Sequence, residues 1–149
     1  MSMLLLEKII EGSSVVYEDQ AYKVIGKALY STRNEPNSTY AKILLDNHYV
    51  LVIAPEEMIY FGITEGRLSE FDSFDETVSY NGQEFQQVNH DYQVRLNIEF
   101  GSPSEVEGDV EFWDYEADDL IISIAEATDN KERADVVAKY ISFDDVEVR

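Results

Sequence analysis

The stretch Ser104–Tyr115, S-E-V-E-G-D-V-E-F-W-D-Y, gathers the residue types best suited to chemistry in this chain. Glu105, Glu107, Asp109 and Glu111 alternate with Val106, Gly108, Val110 and Phe112. That period of two places carboxylates on one face of a strand and a mostly apolar set on the other. The apolar face must pack on a core, which leaves the acidic face to water or to a cationic partner. Same-face carboxylates stand about 6.8 Å apart at the backbone, twice the ~3.4 Å rise per residue. Two oxygens sharing one calcium ion lie at most about 5 Å apart, so the row suits docking to a basic surface better than a metal cage. The same spacing matches the phosphate ladder of a DNA strand taken two steps at a time, the geometry of a DNA-mimic inhibitor. Asp114, set between Trp113 and Tyr115, is the candidate perturbed carboxyl, because flanking rings would desolvate it and raise its pKa. The competing reading is a strand-end carboxylate that caps backbone N–H groups.

Other constellations carry less. Asp114, Glu116 and Asp118 imitate the first ligands of an EF-hand loop, but Asp119 stands where its glycine is needed and Ala125 where its bidentate glutamate is needed. There is no cysteine and no G-x-S-x-G, and His48 and His90 have no partner visible in the sequence. No catalytic, cofactor-binding or metal-ligating residue is assigned, no cofactor is expected, and an enzyme ranks behind a binding protein.

The chain has 149 residues, one domain by length, spanning 1–149. Hydrophobic residues at 44% and aromatics at 12% are too many for a disordered acidic chain. A net charge of −20 repels phosphate and anionic lipid, which argues against direct nucleic-acid binding and membrane insertion and for a basic protein partner. Cysteine-free composition suits the cytoplasm, and Met1–Glu11 lacks the basic start and cleavage site of a signal peptide.

The elements that must position these residues read as mainly β. Ser2 can cap a short N-terminal helix through Ile10, ended by Gly12. Hairpins follow at 13–17 with 21–31 and at 39–45 with 49–54, separated by a loop containing Pro36. A turn at Pro55-Glu56-Glu57 leads into a strand at 58–63, and 68–76 reads as a helical turn burying Phe71 and Phe74. Asn81-Gly82 marks a type I′ hairpin joining 77–80 to 83–89. Residues 92–100 alternate as a half-buried strand, the acidic strand follows, and 120–125 and 146–148 complete the set. Residues 131–141 fit helical and strand periods equally.

Val15-x-Tyr17-x-x-Gln20-x-Tyr22 returns as Val78-x-Tyr80-x-x-Gln83-x-Phe85, and Asp46 and Asp114 each precede a strongly apolar strand. An offset of about 65 residues is too long for a solenoid unit of roughly 20–50. It fits an internal duplication, about 13–63 and 77–149, whose two meander halves close into one barrel or sandwich.

The order Gly12-Ser13-Ser14-Val15-Val16-Tyr17, Tyr22-Lys23-Val24-Ile25-Gly26, Tyr40–Asp46, Tyr49–Ile53 and the late Trp113-Asp114-Tyr115 resembles a bacterial domain of unknown function, DUF4178, from Gly12 onward. The resemblance implies a β-rich fold, favours the strand reading of 135–140 and implies no activity. Taken together, these features favour a non-enzymatic protein-binding or adaptor module. A small-molecule or lipid-binding barrel is the alternative and a DNA-mimic inhibitor the third reading. Neither the partner nor the oligomeric state is legible.

Overall fold

The computed structural model describes residues 2–34, 39–54, 58–101 and 109–149. The loop around Pro36, the turn at 55–57, and Glu105 and Glu107 of the acidic row lie outside the described residues. One helix, α1 (Ser2–Lys8), precedes the strands β1 (Ser14–Tyr17), β2 (Gln20–Thr32), β3 (Thr39–Leu45), β4 (Tyr49–Ala54) and β5 (Met58–Gly66). A 3-10 turn at Ser69–Phe71 leads into β6 (Thr77–Tyr80), β7 (Gln83–Gly101), β8 (Val110–Ala117), β9 (Leu120–Ala127), β10 (Arg133–Ile141) and β11 (Val146–Val148).

Eight of these strands close into an antiparallel barrel in the order β2-β3-β4-β5-β10-β9-β8-β7, the last pairing back to β2. Strands β1 and β11 extend the sheet beyond the first part of β2, and β6 does so beside β7. The barrel settles 131–141 as a strand from Arg133 to Ile141: β10 must pair with both β5 and β9 for the cylinder to close. The break expected near His90 is absent. Instead β7 runs 19 residues, because its first part serves β6 and β8 and its last part serves β2.

The registers of the two halves correspond. Tyr30 pairs with Arg95 and Thr32 with Gln93, about a centre at Ser31 and Val94. Ile63 pairs with Val137 and Gly62 with Ala138 across the other seam. Bulges leave Ile25 between Val24 and Gly26 in β2, and Val88 between Gln87 and Asn89 in β7. Both extra residues point their apolar side chains into solvent, 41% and 51% exposed. At the Gly62 seam a Cβ would lie 2.1 Å from the Val137 carbonyl oxygen, so only glycine allows β5 and β10 to approach.

Apolar clusters lie both inside and outside the barrel. On the outer face of the first half, Ile43, Leu45, Leu51, Ile53 and Ile59 are covered by α1, Val15 and Val24. Helix α1 ends at Lys8 rather than Ile10, and buried Lys27 holds its end by donating to the Leu6 and Ile9 carbonyls at 2.7 and 3.0 Å. On the outer face of the second half, Trp113, Tyr115, Ile122 and Ile124 are covered by Phe71, Val78 and Phe85. Arg133 clamps this cover: its guanidinium forks onto Asp135 at 2.5 and 3.2 Å and reaches Asp72 at 2.8 Å. Asp135 in turn accepts the Leu68 N–H at 2.7 Å.

Candidate functional site

Strand β8 decides where the carboxylates go. Val110 and Phe112 face the barrel interior, as the alternation of the acidic strand requires, and Asp114 and Glu116 continue the same face. Glu111 begins the opposite face, which Trp113 and Tyr115 continue into the outer cluster. The rings on either side of Asp114 therefore point away from it. Trp113 stacks between Phe74, at 3.8 Å between ring centroids, and His90, at 4.9 Å.

Asp114 is desolvated by the barrel interior instead. Ser123, opposite it on β9, donates its hydroxyl to Asp114 Oδ1 at 2.7 Å. Burial pushes the Asp114 carboxyl up to about 6, against hydrogen bonds from Ser123 and Asn89 and the charge of Lys42. Lys42, on the inner face of β3, is pushed down to about 8 by the same burial, with Asp114 acting the other way. Its ammonium lies 4.8 Å from the centre of the Tyr30 ring, a cation–π contact. Lys42 and Asp114 keep part of their accessible surface, yet protein surrounds both. For Lys42 the surface it retains lines a narrow hollow; for both, the surrounding protein governs desolvation.

Two tyrosines complete the interior. Burial, followed by the charge of Asp114, raises the Tyr60 phenol well above its ordinary value, with Ser123 hydrogen-bonding against that rise. Tyr140 donates to Glu116 Oε2 at 2.6 Å and packs edge-on to Tyr60, its own pKa raised by burial and then by Glu116. The hollow between Lys42, Tyr60, Ser123 and Val136 measures about 40 Å³. That admits two or three waters at roughly 10–15 Å³ each, far below the ~300–1,000 Å³ of a small-molecule pocket. Chemically the arrangement can hold a water-bridged proton network whose charge state changes around neutral pH.

The acidic row falls elsewhere. Asp109 is exposed and accepts the Arg95 N–H at 3.4 Å, while Glu111 bonds His90 Nε2 at 2.6 Å. Glu111 and Asp114 thus belong to opposite faces of β8. Asp114 is also not a strand end, since β8 continues to Ala117. By register its counterpart in the first half is Leu44, and that of Asp46 is Glu116. The remaining interior residues escape the motif search. Their signal is a single polar residue at an alternate place within an apolar strand: Lys42 in Thr39–Leu45 and Ser123 in Leu120–Ala125.

No curated protein and no solved structure matches this chain. The family model described as Domain of unknown function (DUF4178) matches residues 11–142, which hold all eight barrel strands, and the chain belongs to that family.

Proposed function

We propose that this barrel is a non-enzymatic protein-binding module that takes a cationic partner on its outer surface. The observation that carries this reading is the filled interior. With only about 40 Å³ around Lys42 and Ser123, the barrel interior offers no seat to an organic substrate or a lipid chain. Recognition then falls to the exterior of a chain whose 31 Asp and Glu outweigh its 11 Lys and Arg, a balance whose field speeds encounter with basic surfaces.

The docking segment is the acidic row Glu105, Glu107, Asp109 and Glu111, of which Asp109 is exposed. The test compares wild type with a variant changing those four carboxylates to Gln and Asn, each immobilised in lysate of the source organism at low and moderate salt. One basic partner held by wild type, cross-linked to the row and lost from the variant supports the reading. Identical retention by both proteins, or a thermal shift of wild type with a fatty-acid panel, counts against it.

A further inference from the structure

The two halves of the barrel are not finished alike. Strands β1 and β6 occupy corresponding places, each forming a hairpin with the next strand through the pairs Tyr17–Gln20 and Tyr80–Gln83. The outer edge of β1 is covered by β11, in the register Val15–Val148, Val16–Glu147 and Tyr17–Val146. Ser14 and Arg149 exchange backbone hydrogen bonds at 2.7 and 2.9 Å at the end of that ladder. No described strand covers β6, which ends the sheet.

Antiparallel pairing sends alternate residues' N–H and C=O groups to opposite sides of a strand. On β1 the outward groups belong to Ser14 and Val16. On β6 they belong to Thr77 and Ser79, both exposed. Val78 and Tyr80, which correspond to Val15 and Tyr17, pack into the outer cluster beside Phe71 and Phe85. An added strand would therefore find open hydrogen-bonding groups along its length and apolar surface opposite two alternate residues, as Val146 and Val148 find on β1.

Electrostatics distinguishes the two edges. The residue opposite Ser79 would share a face with Glu84, which pairs with Ser79 from β7, whereas the corresponding neighbour of Glu147 on the first edge is Ala21. A segment like Val146-Glu147-Val148 would bring a second carboxylate onto that face, two strand spacings (about 9.6 Å at the backbone) from Glu84; a cation in the middle would not.

We propose that the free edge of β6 is a strand-addition site for an extended partner segment reading apolar–Lys or Arg–apolar. This inference rests on the protein-binding reading above and names its partner's docking segment. The probe is a capped peptide reading Thr-Val-Lys-Val-Thr, with its twin carrying Glu for Lys, titrated into isotope-labelled protein and followed by amide shifts and hydrogen exchange. The Lys peptide should move and protect the Thr77 and Ser79 amides and bind about two- to fourfold tighter than the Glu peptide at low salt. Ser79→Pro removes an outward N–H without touching the ladder to β7 and should abolish binding. Glu84→Lys, which leaves the edge itself intact, should weaken the preference for the Lys peptide.

Shifts elsewhere, equal binding of both peptides, or an unchanged preference in Glu84→Lys would overturn the inference. If the peptides fail while wild type still holds a basic partner that the four-carboxylate variant loses, the edge is refuted and the protein-binding reading stands. If both experiments fail, both readings fall.

Discussion

The buried pair Lys42 and Asp114 sets a testable pH dependence of stability. Asp114 stands near 6 in the folded barrel instead of its ordinary 3.8, and Lys42 near 8 instead of 10.5. A raised carboxyl binds its proton more tightly in the folded state, so its contribution is fully present below 3.8 and is lost as pH rises through 6. A lowered amine releases its proton more readily when folded. Its contribution is present above 10.5 and lost as pH falls through 8. Each shift corresponds to about 3 kcal/mol. Between those limits both ions are held in a place that opposes them. The double variant Lys42→Met with Asp114→Asn keeps the shapes and removes both charges. Urea denaturation of variant and wild type from pH 4 to 10.5, read as a difference, cancels the repulsion among surface carboxylates. The difference should climb by about 3 kcal/mol between pH 4 and 6, stay level to pH 8, and fall by about 3 kcal/mol toward pH 10.5. At neutral pH the variant should be the more stable by about 1–4 kcal/mol, because it no longer holds two desolvated charges. A flat difference, or a trough at neutral pH, would refute the argument, because the pair would then stabilise the barrel.

Three further outcomes follow from the packing. Gly62→Ala puts a methyl against the β10 backbone, which cannot move aside without opening the seam, and should cost about 1–3 kcal/mol or more by urea denaturation followed through Trp113 fluorescence. Lys27→Met removes the donors to the Leu6 and Ile9 carbonyls and the 2.9 Å ion pair with Glu99. Limited proteolysis should then trim the residues before Gly12 while the barrel resists; equal protection in both proteins would show that Lys27 does not hold α1. Arg133→Gln leaves Asp135, 0% exposed, without its fork. A loss of about 3–5 kcal/mol is expected on denaturation, and a loss under about 1 kcal/mol would mean that water or Leu68 alone satisfies the carboxylate.

The elements were legible where local chemistry decides them. Asn81-Gly82 supplies a pair of positive-φ residues, at 50° and 76°, so its hairpin needs no tertiary help. Residues 131–141 satisfy both periods, and only the neighbours β5 and β9 select the strand. The candidate site was harder to read because alternation separates two faces without saying which one is the core. In β8 neither face is simply wet. Phe71 and Phe74 arrive from an earlier turn to cover Trp113 and Tyr115, so the outer face turns aromatic after Glu111. The inner face meets β9 and β3, which bring Ser123 and Lys42, so there a carboxylate can remain after Phe112. Asp114 therefore owes its perturbed carboxyl to residues remote in the chain, while the adjacent rings that single it out in the sequence act on the other side of the wall. On a helix a desolvating partner comes from i±3 or i±4 rather than from a flanking residue. In a strand a flanking-residue argument for desolvation must fail, because the neighbours i−1 and i+1 always belong to the opposite face.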